Sequence, residues 1–303
     1  MVDVVMASTL GTLLWVGLDT FRQVTTSPGP RRTAARDDIE RAHLVDPADR
    51  TWSIARAHVS PDLTDLARRF WIPVWDVPEG RDSVQRVLQY PVCLVVVSDT
   101  YARFYGVVSG LSHTMLTGRG WAVGLMLQPA AGWLVTGEPV RRMTDRFVDL
   151  GVLPTLDGPA VTRGIRGAMG PDPHSPDAQA CAREALEEAL RRLLPVDDEG
   201  LLVNAIVDHV ESSPELLRVD ELCDRFDISE RTLQRLLHKR IGLGPKWLIR
   251  RRRLQEAADR LRDSVSGLSG IAAELGYADQ AHFTRDFRAA TGMTPGEFAS
   301  RFR

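Results

Sequence analysis

The sequence predicts an α+β protein. A small β-barrel or sandwich with flanking helices is followed by an all-α domain of two helix-turn-helix units joined by a long helix. Three observations carry this. Continuous β-branched and aromatic runs, such as Val92 to Val97, occur only before about residue 150. From Leu201 onward apolar residues recur at helical spacing, without strand-like alternation. A pattern first met around Leu222 to Arg235 returns at offsets of 49 and 50 residues.

The chain has 303 residues with 38 Lys and Arg against 40 Asp and Glu, a formal charge of −2. That excludes a uniformly basic polyanion binder but hides any local imbalance. Cys93, Cys181 and Cys223 are too far apart and too few for a disulfide framework or a zinc site, which fits a reducing cytoplasm. Residues 1–50 read as an N-terminal extension and linker. Its uncharged run Val4 to Leu18 is interrupted by Ser8, Thr9, Gly11, Thr12 and Gly17, and falls short of the roughly 20 apolar residues of a spanning helix. The expectation is a packed helix, or an extension from a mis-assigned start, and no membrane partner.

Residues 51–170 read as the β-rich domain. Leu63, Leu66, Ala67 and Phe70 recur at helical spacing, with Pro73 and Pro78 as breakers. Val92 to Val97, Arg103 to Val108 and Trp121 to Leu127 follow as strands. Pro139 opens a helix with Val140, Met143, Phe147 and Leu150 on one face. Residues 171–200 form a linker entered through Pro171, Pro173 and Pro176. Within it Ala182, Leu186, Ala189 and Leu193 make a helical seam that suits either a second copy or the protein's own core. Asp197, Asp198 and Glu199 close it.

In residues 201–303 the charge turns one-sided. Ser229 to Arg262 holds eleven basic residues against Glu230, Glu256 and Asp259, a pattern expected of contact with a polyanion. Val219 to Phe226 predicts a short helix, Asp227-Ile228 a turn and Ser229 an N-cap. On the next helix Leu233, Leu236 and Leu237 share one face and Arg231, Gln234, Arg235 and His238 the other. Long hydrogen-bonding side chains opposite an apolar anchor are what reading base edges in the major groove requires. In the repeat Asp279 is the cap, Phe283, Phe287 and Ala290 face inward, and Ala281, Thr284, Arg285 and Arg288 face outward. Two such units on the helix of about Pro245 to Arg262 suit successive major grooves, roughly 34 Å apart on double-stranded DNA.

Residues 204–303 resemble the DNA-binding domain of AraC/XylS-type transcription regulators. The resemblance is carried by IAAELGYADQAHFTRDFRAATGMTPGEF, Ile271 to Phe298, and by RRRLQEAADRL from Arg251. It implies base contacts from Arg231, Gln234 and Arg235 in the first unit and from Gln280, Thr284 and Arg285 in the second. It also implies that Ser229 and Thr294 lie near the phosphate backbone, with DNA and the transcription machinery as partners. Leu237 stands where the family usually has Phe, and Ala281 where many members carry a longer polar side chain. Gly124 to Leu150 is similar to the N-terminal domain of one branch of this family, although Ala130-Ala131 follows Pro129 where a Gly is usual. This implies a cupin-like domain for sensing a small-molecule effector or for homodimer formation.

Trp71, Trp75, Tyr101, Phe104, Tyr105, Trp121 and Trp133 suffice to line a small apolar pocket, although core packing is the default for most of them. His58 and His113 are isolated, Cys93 lies inside an apolar run, and Asp62 and Asp65 sit at a helix start. No catalytic residue, metal or cofactor is assigned. The alternative is a cupin-like small-molecule enzyme fused to the DNA-binding module, which stoichiometric bound metal would favour.

Overall fold

The β-branched run around Val95 forms an interior strand of a six-stranded antiparallel sheet in the computed structural model, which describes residues 43–44, 48–88, 90–263 and 267–302. The strands are β1 (His43–Leu44), β2 (Trp52–His58), β3 (Ala67–Val77), β4 (Ser83–Val87), β5 (Leu94–Ser98), β6 (Ala102–Tyr105), β7 (Ser112–Leu116), β8 (Gly118–Leu127) and β9 (Phe147–Asp149). The larger sheet runs β2-β3-β8-β5-β6-β9 and a smaller one β1-β4-β7. The helices are α1 (Ala131–Thr136), α2 (Gly158–Met169), α3 (Pro176–Arg191), α4 (Asp198–Ser212), α5 (Val219–Phe226), α6 (Glu230–Arg240), α7 (Pro245–Asp263), α8 (Leu268–Glu274), α9 (Gln280–Thr291) and α10 (Pro295–Phe302). The expected α+β division is present, with antiparallel sheets first and helices after. The expectations for Val4 to Leu18 and the rest of the chain up to residue 42 lie outside the described residues.

Two expected helices do not form; 3₁₀ turns and strands take their place. Leu63 closes a 3₁₀ turn, Pro61–Leu63, and Ala67 and Phe70 already belong to β3. The deciding signal is the alternation Phe70, Ile72, Val74, which buries one face of an extended chain. Pro73 does not break it, because the ladder to β8 skips Ile72 and Pro73, where proline has no N–H to give. After Pro139 the chain makes only a 3₁₀ turn, Val140–Arg142. Asp145 then takes a left-handed conformation (φ 58°), which ends any helix. Its carboxylate accepts from the Ser109 backbone N–H at 2.7 Å and hydroxyl at 2.8 Å. Phe147 to Asp149 leave as β9 on the sheet edge.

The register assigns each side chain a face. Phe70, Val95, Phe104, Trp121 and Leu125 point to one side, where Val135, Ile165 and Leu186 from the helices cover them. Trp71, Trp75, Leu94, Tyr105 and Met126 point to the other, where Leu44 and Val87 of the small sheet join Met126, Trp71 and Leu94. The α2 helix was not foreseen from sequence. Its signals are the Asp157 cap, accepting from Ala160 N at 2.9 Å, Pro159 in the first turn, and the buried row Val161, Ile165, Met169. The proline-rich stretch before Pro176 is the turn between α2 and α3, and these pack closely where Gly164 meets Ala185. On α3 the buried row is Ala182, Leu186 and Leu190, set in the sheet's own core, so this seam is used within the chain.

The described residues fall within one compact unit, Asp37–Arg303. One core runs from the sheet through α4 to Leu222, Leu233, Leu237 and Ile249. A second joins Leu44, Tyr90 and Met126 to Leu254, Leu261, Phe283, Phe287 and Phe298. Polar bonds tie α4 down between them: Asn204 donates to the Asp65 carbonyl and accepts from Ala130 N–H, both at 2.9 Å. No described helix is long and apolar enough to cross a membrane.

The bare backbone of β8 makes the Trp side of the sheet possible, since a Cβ at Gly124 would stand 2.2 Å from the Trp71 indole. Gly124→Ala should therefore lower the free energy of unfolding by about 1–3 kcal/mol, the usual cost of overpacking, as a shift in denaturant midpoint.

Candidate nucleic-acid interface

Both helix-turn-helix units form where the caps and spacing place them. Asp227 closes α5 in a left-handed conformation (φ 50°), and Ser229 Oγ accepts from Thr232 N at 3.2 Å to start α6. In the second unit Gly276 (φ 70°) makes the turn and Asp279 accepts from His282 N at 2.6 Å to start α9. Leu233, Leu236 and Leu237 are buried, as are Phe283 and Phe287, and the Phe298 ring packs edge-on against Phe287. Leu237 therefore fills its core place without the aromatic ring usual there.

The opposite faces are open. Arg231, Gln234 and Arg235 are exposed on α6, and Gln280 and Arg285 on α9, with Thr284 half-buried beside them. Gln280 accepts from the Ser269 hydroxyl at 2.7 Å, which ties it to α8. Ser229 and Thr294 both serve as helix caps. Thr294 Oγ donates to Glu297 at 2.8 Å and accepts from Glu297 N at 3.3 Å, a capping box at the head of α10. Hydrogen bonds from the Thr294 backbone and hydroxyl hold the Glu297 carboxyl below its ordinary range.

The basic run is not the one-signed surface that its sequence suggests. Lys239 donates to Glu199 at 2.6 Å, and fully buried Arg240 pairs with Glu199 at 3.1 Å and with Asp197. Arg251 pairs with Glu211 at 3.1 Å, Arg250 with Asp286 at 2.6 Å, and Arg262 with Asp259 at 3.0 Å. Arg252 donates to the Pro214 and Leu216 carbonyls and to Glu256, while Arg260 reaches Glu256 and Glu274. Even Arg235 has Glu199 at 3.9 Å. Of the eleven basic residues in this run, only Arg231, Lys246 and Arg253 have no ion pair among the described residues. The carboxylates come from 3 to 43 positions away along the chain, so a local count cannot foresee them.

Asp197 and Glu199, read from sequence as a helix terminator, instead clamp the C-terminal end of α6. Burial works to raise the Glu199 pKa, but hydrogen bonds from Lys239 and Arg240 outweigh it and hold the carboxyl below its ordinary range. On the other side Trp133 of α1 receives Lys239 Nζ at 4.7 Å and the Arg240 guanidinium at 4.4 Å from its ring centre. Gly242 (φ 91°) lies so close to the Thr144 hydroxyl that a Cβ would stand 2.4 Å from it. The β-rich part therefore grips the tail of α6 and leaves its head open.

The seven aromatics do not line one pocket. Phe104 and Trp121 face the helices, Trp71, Trp75 and Tyr105 face the opposite side of the sheet, and Trp133 meets α6. Tyr101 lies under the Arg103 guanidinium at 4.7 Å. His58 and His113 are exposed, and Cys93 is buried, which pushes its thiol up to about 12. Among the described residues no group of three or more His, Cys, Asp or Glu is placed to hold a metal ion.

A depressed carboxyl stabilises the fold above its unfolded pKa, here near 4.5, and that contribution is lost as pH falls through the lower folded value. Glu199→Gln should therefore cost about 1–3 kcal/mol of unfolding free energy at neutral pH, through loss of its charged hydrogen bonds. The gap between wild type and variant should close as the pH is lowered below 4.5 in parallel denaturation curves.

A family model described as a helix-turn-helix domain matches residues 222–301, and one described as a domain of unknown function (DUF6597) matches residues 56–149. The chain is 33% identical over 113 residues to the HTH-type transcriptional activator RhaS of Escherichia coli O1:K1 / APEC, covering 37% of each protein. It thus spans little more than a third of the length of the curated relatives it matches. Among solved structures, the DNA-binding domain of AdpA in complex with a target DNA matches at 22% identity and a TM-score of 0.30, over 35% of this chain and 94% of that one. ToxT of Vibrio cholerae O395, bound to (E)-4-(8-methylnaphthalen-1-yl)but-3-enoic acid, matches at 11% identity and a TM-score of 0.38, over 84% of this chain and 100% of that one. Residues 222–301 thus match a helix-turn-helix domain and residues 56–149 before them the DUF6597 domain, each over less than half of the chain.

Proposed function

We propose that this chain is a sequence-specific DNA-binding transcription regulator. One observation carries the reading: two capped helices, α6 and α9, each bury large apolar side chains on one face and present Arg, Gln or Thr on the other at the end nearest the cap. That is the end a recognition helix brings to base edges. Arg231, Gln234 and Arg235 read one major groove, and Gln280, Thr284 and Arg285 the next. The capped helix ends at Ser229 and Thr294 lie beside the phosphate backbone and fix the register. The matched relatives named as transcriptional activators support the same reading.

The β-rich part is the input side, acting through a small-molecule effector or through pairing of two copies. It has a direct mechanical route, because Trp133 and Thr144 touch the end of the first reading helix.

The test is selection of bound fragments from random DNA with the full chain, followed by titration of the selected duplex. Arg235→Ala and Arg285→Ala should each weaken its binding by about 1–3 kcal/mol and relax preference at one base position. Normal affinity and normal preference in both variants would remove these residues from the reading surface.

A further inference from the structure

Of the eleven basic residues between Ser229 and Arg262, Lys246 and Arg253 are two of the three without an ion pair among the described residues, and both line the same cleft. The cleft, about 460 Å³, lies between the start of α5, Glu230 at the head of α6, and one side of α7. Arg218 and Arg250 also border it, each already engaged, by Asp220 and by Asp286. What remains unneutralised on its walls is Lys246 and Arg253 against the single carboxylate of Glu230.

The cleft also marks where the two units meet. Arg253 stacks over the Tyr277 ring at 4.0 Å, and Tyr277 belongs to the turn of the second unit. Leu217 closes on Gly276 in that same turn, where a Cβ would come within 2.9 Å of it. Arg253 Nε and Nη2 are buried and find no acceptor among the described residues. A guanidinium placed this way lacks an oxygen, and an anion supplies one. A duplex read by α6 and α9 in successive grooves carries its backbone past the seam between them.

We propose that this cleft seats a DNA backbone phosphate between the two grooves, held by Lys246 and Arg253. The inference rests on the DNA-binding reading above and adds to it a site for the sequence-independent part of the affinity.

The experiment titrates the full chain with its selected duplex and with a scrambled duplex, from about 0.05 to 0.3 M salt, where counterion release is readable. Lys246→Gln and Arg253→Gln should each weaken both duplexes by the same factor and reduce the slope of log affinity against log salt by about 0.9. Lys246 is exposed, so its variant tests the site even if Arg253→Gln disturbs the Tyr277 stack. Arg251→Gln, whose charge is engaged by Glu211, should lower the melting temperature and leave the slope unchanged. An unaltered slope in Lys246→Gln, with the wild type still selective, overturns the phosphate seat and leaves the DNA reading intact. A loss confined to the selected duplex overturns it as well, because that marks base reading. A wild-type chain that prefers no duplex over scrambled competitor removes the DNA reading itself, and this inference with it.

Discussion

The arrangement of the helical half depends on the Glu211 carboxylate, which lies between two arginines from distant parts of the chain. Arg68 of β3 reaches it at 2.9 Å and Arg251 of α7 at 3.1 Å, and the two guanidiniums are 13% and 7% exposed. Arg251 also lies over the Tyr90 ring at 4.5 Å. Burial disfavours the Arg251 charge, and Glu211 with Tyr90 offsets part of that cost. Arg68 also pairs with Asp208 at 3.3 Å, so this group of charges links the sheet, α4 and the connecting helix. The connecting helix also divides its apolar residues between two cores. Leu248 and Ile249 join the first unit and the helix side of the sheet, whereas Leu254, Ala257 and Leu261 join the second unit and the tryptophan side. Its midpoint, where Arg251 and Arg252 are buried, is the junction of the two.

This resolves the apparent conflict between a net charge of −2 and a strongly basic stretch. Arginine does structural work here that lysine would do poorly. A planar fork can satisfy two backbone carbonyls at once, as Arg252 does at Pro214 and Leu216, while its stem packs among apolar neighbours. Ion pairs at such sites hold the arrangement in one geometry and contribute little attraction for an external polyanion. The charge left for a partner is a small, placed subset of the total. Salt dependence in such a protein reflects which cations stay unpaired, and their number in the sequence is a poor guide to it.

What was legible in the sequence was local. Ser229, Asp227 and Asp279 announced caps and turns through interactions spanning two or three residues, and the repeat between Leu222 and Phe283 announced two copies of one unit. The strands built on Val92 to Val97 and Trp121 to Leu127 followed from composition alone. Misreadings arose where two periods fit the same residues. Leu63, Leu66, Ala67 and Phe70 satisfy a helix, yet the alternation beginning at Phe70 determines the extended chain, because β8 offers a partner that no local window contains. Val140 to Leu150 failed for another reason, since Asp145 is held left-handed by Ser109, 36 residues earlier. On the candidate surface Arg231, Gln234 and Arg235, and Thr284 and Arg285, were readable as helical faces, whereas Gln280 came only with the family resemblance. The clamp on Lys239 and Arg240 was not, as its carboxylates lie in a segment that reads only as a helix boundary.

That clamp gives the β-rich part unequal access to α6 and α9. The first is gripped at its C-terminal end by Trp133, Glu199 and the turn around Thr144, within a core continuous with the sheet. The second reaches the sheet through a different core, centred on Phe283, Phe287 and Met126. A displacement of α1 therefore acts on α6 as a lever on its fixed end, and closely packed interiors transmit such displacements with little loss. For α9 the same displacement has to cross the Arg251–Glu211 junction, where a charged network holds one geometry. The helices α6 and α9 are thus anchored by two different faces of one sheet. Any change in how those faces lie relative to each other changes the spacing that the pair presents.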